Sequence, residues 1–359
     1  MTDSRVAVVT EYNQPLEIQK IPLRDLEQDA MMARVEAATL CGTDVHRWHG
    51  AQNLIPYVPG HETAMSIVEM NAPRWDNLGE PLKVGDRILS AYPSCGHCYY
   101  CSVARTTNLC KEGLIYGAHK PGVFLGGLSE YHYVPPKGEI IRIPEEVSSP
   151  LAASAACALR TVMHGFERLG PILSHETVVV QGAGPLGLYS LAVARDRGAA
   201  KVLVIGAPEE RLQVAREFGA DATCNLEEIT DAAARKEWVL SHTSGRGPDV
   251  VVQVAVSAAI PEGLEFIRPG GRYVSIGGGG GPEVSIPTRL LSNYITYFHI
   301  RTTMARHFYQ ALQFLATKKK LFPFEKMLSG TYTLEEASEA IKAMASLSIV
   351  KPVILPNGE

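Results

Sequence analysis

The chain has 359 residues, too many for one typical core, so two domains are expected. It is 46% hydrophobic and 20% charged, an ordinary globular composition, and its net charge of -4 argues against nucleic acid or an anionic membrane as partner. There is no run of about 18 apolar residues to span a bilayer.

The N-terminus, MTDSRVAVVTEYNQPLEI, reads as strand-turn-strand and lacks a signal-peptide pattern. Seven cysteines, an odd number, fit a reducing cytoplasm better than a disulfide framework. The first 150 residues read as β-rich and irregular. VAVVT, MMARVEAATL, DRILSAYP and YHYVP are short strand candidates, and MNAPRWDNLGEPLKVGD is a long polar loop. This region carries Cys41 in LCGTDVH, His61 and Glu62 in PGHE, and Cys95, Cys98, Cys101 and Cys110 in CGHCYYCSVARTTNLC. The four clustered thiolates can close a tetrahedral zinc shell, which suits a structural ion. Cys41, His61 and the downstream Cys157 offer three ligands with a fourth position open, the pattern of a catalytic zinc; Glu62 competes with Cys157 for the third place.

Near residue 151 the texture changes. LAASAACALRTVMHGFERLG has helical periodicity. Strand and helix then alternate: TVVVQ, LYSLAVARDRG, KVLVIG, ERLQVAREFGA, PDVVVQVA, PEGLEFIRPG and GRYVSIG. This pattern predicts βαβ units in a doubly wound parallel sheet, ending around Phe298. The tail adds helices at HFYQALQFLATKKK and LEEASEAIKAMAS, with Thr333 and Glu336 as a capping box, and a last strand at KPVIL.

Gly182, Gly184 and Gly187 form GxGxxG, with Pro185 and Leu186 inside it, after a strand and before a helix. In that context the glycines allow a tight turn, close backbone approach to a pyrophosphate, and helix–strand packing. The acid expected at the end of the second strand is absent: Gly206 stands there, and Arg211 follows. That removes a charge that would repel a 2′-phosphate and admits NADP as well as NAD. Ile276 and Gly277 end the strand RYVSI, and the glycine run to Gly281 should face the ligand crevice.

LCGTDVH, PGHE, VGDRI, CGHCYYC…NLC, GGLSEY, GAGPLG, AREFGAD and PGGRYVSIG together resemble the zinc-dependent medium-chain alcohol dehydrogenases, near the sorbitol and threonine dehydrogenase branches. The resemblance covers nearly the whole chain. It implies a β-rich GroES-like catalytic domain over 1–158 and 299–359, with a structural zinc lobe at about 92–114, and a Rossmann domain over 159–298. It implies two zinc ions per chain, NAD or NADP, and a homodimer or homotetramer. Cys41, His61 and Cys157 become catalytic zinc ligands, and Glu62 a carboxylate that ligates or waits beside the metal. Asp44 would orient the histidine, Thr43 and His46 would relay the proton, and Thr161 would contact the nicotinamide. Trp48, His49, Ala91 and Tyr92 become candidate pocket residues, and Cys224 plain core. The expected activity is hydride transfer between an alcohol and NAD(P). The alternatives are a carbonyl reductase or dismutase that retains its cofactor, and a non-catalytic dinucleotide-binding relative. Three departures from the family pattern stand out: one extra residue between Cys101 and Cys110, Met65 and Asn71 in place of glycines, and Gly206.

Overall fold

In this computed structural model the described residues are 3–91, 93–113, 126–277 and 283–358. The first part of the chain forms β1 (Asp3–Val8), β2 (Glu17–Pro22), β3 (Met31–Thr39), α1 (Gly42–Trp48), β4 (Glu62–Met70), β5 (Arg87–Ala91), α2 (Tyr99–Ser102), β6 (Tyr131–Val134), β7 (Glu139–Arg142), α3 (Ser149–Ser154) and α4 (Arg160–Leu169). The middle forms β8 (Thr177–Gln181), α5 (Pro185–Asp196), β9 (Lys201–Gly206), α6 (Glu209–Glu217), β10 (Ala222–Asn225), α7 (Ala232–His242), β11 (Val250–Gln253), α8 (Ala259–Phe266), β12 (Arg272–Ile276), α9 (Thr288–Leu291) and β13 (Thr296–Ile300). The tail forms α10 (Ala305–Lys318), β14 (Leu328–Tyr332), α11 (Ala337–Ala345) and β15 (Lys351–Ile354). Two compact units result: Met1–Arg160 with Thr302–Lys318 and Leu328–Glu359, and Thr161–Arg301 with Lys319–Met327.

The first unit is built on a seven-stranded sheet in the order β14-β15-β3-β4-β5-β7, with β6 also paired to β3, and on the two-stranded pair β1-β2. β3 is central and buried along most of its length, which explains why it reads as an apolar run rather than an alternation. α3 begins with proline in its first turn, which suits a helix start, and its alanines lie buried against β3 and β4. The helix then widens into a π-helical turn, Ala155–Leu159, before α4. Arg160 ends this turn; its guanidinium bonds the Thr303 hydroxyl and sits 4.4 Å over the Phe308 ring.

The second unit is an all-parallel six-stranded sheet in the order β10-β9-β8-β11-β12-β13. This is the doubly wound order, and it reverses between β8 and β11. The valine-rich strands β8, β9 and β11 are buried along nearly their whole length. Phe322 and Phe324 pack on Phe218, which joins the Lys319–Met327 segment to this unit.

The structure corrects the sequence reading in several places. The last strand of the alternation, β13, contains Phe298, runs to Ile300 and pairs in parallel with β12, and the unit boundary falls after Arg301. Lys319–Met327 belongs to the second unit, not the first. β10 and α7 have no clear sequence signal: ATCN mixes polar and apolar residues, and α7 fully buries only Val239. Thr333 and Glu336 do exchange bonds, of 2.8 and 3.4 Å, but α11 starts at Ala337, so they close the turn before the helix. Met65 fills a core cluster with Ile67 and Ile88. Asn71 does not adopt positive φ; its amide donates to the Leu26 carbonyl. Gly278 to Gly281 lie outside the described residues.

His132 on β6 is 5% exposed, with Nδ1 lacking a hydrogen-bond partner, and burial lowers its pKa to about 4. The folded state thus disfavours the protonated ring, and stability falls as pH drops from 6.5 toward about 4. This should amount to about 3 kcal/mol by pH 4. Urea unfolding across that range should show a steeper acid loss in the wild type than in His132→Leu; parallel profiles would refute it.

Candidate functional site

Cys41 is the N-cap of α1, where its sulfur accepts from the Thr43 amide at 3.3 Å. Asp44, fully buried, reaches back to the Cys41 amide at 2.9 Å, which closes a capping box. The same carboxylate accepts from the Gly60 amide at 3.2 Å and meets His61 Nδ1 at 3.3 Å. Gly60 has φ +88, and a Cβ there would lie 2.9 Å from the Leu128 amide, so only glycine fits before His61. With Nδ1–H engaged by Asp44, His61 turns Nε2 to within 3.1 Å of Cys41 Sγ. Cys157 arrives from the π-helical turn and Glu62 from the first position of β4. The ligand atoms of Cys41, His61, Glu62 and Cys157 all lie within 4.8 Å of one another.

The electrostatics suit a cation. A hydrogen bond from Cys157, and then the charge of His61, hold the Cys41 thiol well below its ordinary pKa against the opposing effect of burial. The same bond pushes Cys157 well above its ordinary value. Burial opposes the charged ring of His61, but Cys41 and Asp44 outweigh it and raise its pKa. Two sulfurs and an imidazole nitrogen in mutual reach are the donor set of a zinc site with one position left open. Glu62 is fully buried; Oε2 takes bonds from Thr39 and Lys351, while Oε1 has no hydrogen-bond partner. Burial raises the Glu62 pKa, and the Lys351 charge opposes the rise.

A second cluster lies in the same unit. Cys98 Sγ is 3.5 Å from Cys101 Sγ and 4.0 Å from Cys110 Sγ, and Cys95 Sγ is 3.9 Å from Cys101 Sγ. Four Zn–S bonds in a tetrahedron set sulfurs about 3.8 Å apart, so the group fits zinc. Between Cys101 and Cys110 the chain passes through Arg105 at φ 54 and the 3-10 turn Thr107–Leu109.

Thr43 and His46 sit one turn apart on α1, both exposed. Trp48 is 6% exposed in a core cluster, with its indole N–H on the Gln14 carbonyl. His49 pairs with Asn13, Ala91 is buried on β5, and Tyr92 lies outside the described residues. Cys224 is buried in the core of the second unit.

In the second unit, Gly182 has φ +124, and a Cβ on Gly187 would lie 1.8 Å from the Gly182 carbonyl oxygen. Gly184 caps α5, and Pro185 and Leu186 open it. Gly206 has a steric cause: a Cβ there would lie 2.6 Å from that of Ala183, so no side chain fits unless the turn shifts. Arg211 is buried on α6, with Nη1 3.9 Å from where a Cβ on Gly184 would stand, and burial lowers its pKa. Thr161 opens the unit within α4, and Ile276 is buried where β12 ends at Gly277, φ +83. Sequence reasoning missed two groups. Lys351 carried a weak signal, a lone charge opening an apolar strand. Gln181, Gln253, Ser275 and Tyr273 bond one another in buried pairs, Tyr273–Gln181 at 3.1 Å and Ser275–Gln253 at 2.7 Å.

Comparison with known proteins matches residues 27–145 to the family model "Alcohol dehydrogenase GroES-like domain" and 185–317 to "Zinc-binding dehydrogenase". The chain is 31% identical over 361 residues to 5-exo-hydroxycamphor dehydrogenase of Pseudomonas putida, covering 99% of each chain. An alcohol dehydrogenase structure from Thermotoga maritima superposes with TM-score 0.91 at 30% identity, over 99% of this chain and 100% of the other. A Sinorhizobium meliloti protein classed as a zinc-binding dehydrogenase and bound to NADP gives TM-score 0.83 at 25% identity, over 99% and 100%.

Asp44 satisfies two backbone amides and one imidazole. Asp44→Ala should therefore cost about 3 kcal/mol and lower bound metal, while Asp44→Asn, which can still accept, should lose less. Thermal denaturation and metal analysis check this; an Ala variant that melts like the wild type would refute it.

Proposed function

The chain belongs to the zinc-dependent medium-chain alcohol dehydrogenase family and is an oxidoreductase of that type; from this we propose that it interconverts a secondary alcohol or polyol hydroxyl and the matching ketone with NAD or NADP. The observation that carries the reading is the meeting of Cys41, His61 and Cys157, each part-buried, beside the fully buried Glu62. A relative named for a hydroxycamphor supports a ring-borne alcohol among the substrates.

Cys41, His61 and Cys157 would hold the catalytic zinc, and Cys95, Cys98, Cys101 and Cys110 the structural one. When bound, the zinc supplies Lewis-acid polarisation of the substrate oxygen, and the nicotinamide supplies the hydride acceptor. The chain's own task is to place groups and carry the proton. The Thr43 hydroxyl would accept the alcohol proton and pass it to His46, which is exposed and can release it to water. Asp44 fixes the tautomer of His61, so that Nε2 keeps a lone pair for the metal. Gly182, Gly184 and Gly187 would let the backbone approach the pyrophosphate at the start of α5. Thr161, Ile276 and Gly277 would line the nicotinamide side, and Gly206 with Arg211 the adenosine ribose. The first unit would then be the catalytic domain and the second the dinucleotide domain. The same resemblance supports a cytoplasmic homodimer or homotetramer.

A screen of secondary alcohols and polyols, followed by reduced-nicotinamide absorbance, should find a substrate. On it, His61→Ala should abolish turnover and Cys157→Ser should lower bound zinc from two per chain toward one. Two zincs with full activity in Cys157→Ser would give the third ligand place to Glu62. The absence of an acid at Gly206 should keep kcat/KM for NAD and NADP within about a hundredfold of each other; a larger preference for NAD would remove the role given to Arg211.

A further inference from the structure

Lys351 is 0% exposed, as are Glu62 and Thr39. A lysine is rarely buried without a partner of opposite charge, and one placed beside a cation site repels the very ion the site would hold. The sheet register explains how it arrives. Thr39 pairs across the ladder with Glu62 on one side and with Val353 on the other, so these residues share a face. Lys351 stands two positions before Val353 and points to that same face. Its ammonium bonds Glu62 Oε2 and lies 3.3 Å from the Leu40 carbonyl, next to Cys41. Thr39 donates to the same Oε2. Both bonds fall on one oxygen, and Oε1 has none.

We propose that Lys351, helped by Thr39, is a positioning residue that holds Glu62 back from the metal and so keeps one coordination position open for substrate. This rests on reading Cys41, His61 and Cys157 as the catalytic zinc site. The charges make the case. Two thiolates balance a divalent cation, and Lys351 separately balances Glu62. Without the ammonium, the carboxylate would be a buried charge whose nearest compensation is the metal itself, and its bondless oxygen would close the open position.

Cobalt exchanged into the catalytic site tests this, the relevant bands being those that Cys41→Ser abolishes. Lys351→Met should shift them toward the weaker absorption of a higher coordination number, and kcat should fall about ten- to a hundredfold. Lys351→Arg should restore both the bands and the rate. Glu62→Gln in the Lys351→Met background should return the tetrahedral spectrum, since an amide is a poor zinc ligand. An unchanged spectrum in Lys351→Met, or no reversal by Glu62→Gln, would overturn the proposal. If Lys351→Met does not fold, Thr39→Val loosens the same oxygen without burying a lone charge; it should shift the bands in the same direction, and an unshifted spectrum would overturn the proposal equally. Were Cys41→Ser to abolish no bands, the metal-site reading itself would fail, a result distinct from these.

Discussion

Two thiols, an imidazole and a carboxylate packed within 4.8 Å of one another set a charge balance that the surrounding structure has to meet. Water screens little in a buried site, so every anion there needs a specific partner. The structure supplies these one by one. Cys157 and His61 lower the pKa of Cys41, His61 is steadied by Asp44, and Glu62 is answered by Lys351. Asp44 in turn is tied down by two backbone amides, so its charge is fixed by the path of the chain and not by another mobile side chain.

That balance explains the local geometry. A helix cap brings Cys41 and Asp44 together, because the cap bonds that start α1 also aim the sulfur. A glycine at positive φ turns the chain sharply enough to present His61. The widened π-helical turn carries Cys157; an α-helix interrupted by one such turn changes which residues face β4, a device often met at functional sites. Four separated stretches of chain therefore converge on one place, and three of them arrive from the ends of regular elements.

How much of this the sequence revealed follows from how local each device is. The cysteine spacing from Cys95 to Cys110 and the GxGxxG turn are short-range arrangements, with chemistry that depends on neighbours a few residues away. Cys41, His61 and Asp44 were legible for a similar reason, since LCGTDVH and PGHE carry their own caps and turns. Lys351 was not, because its meaning depends on pairing between β15, β3 and β4, three strands far apart in sequence. The π-helical turn was hidden too, as nothing in LAASAACALRT separates it from an ordinary helix. β10 escaped because an edge strand of four residues with two polar side chains has no clear period. The unit boundary slipped by a few residues for a related reason: β13 is an edge strand, half exposed, and lacks the apolar run that marks its buried neighbours.

Gly206 shows where sequence reasoning identified the right residue without its cause. An absent acid reads as a choice about the cofactor's charge. The structure adds that Ala183, the middle residue of the glycine-rich turn, occupies the space a side chain at 206 would need. A Cβ at 206 would also lie 2.9 Å from the Ala183 amide nitrogen, so an acid at the end of β9 requires the turn itself to shift. Arg211 stands beside the same turn, its Nη1 3.9 Å from a Cβ position on Gly184. Replacing Gly206 alone would strain the glycine-rich turn, so position 206 and the turn have to be altered together.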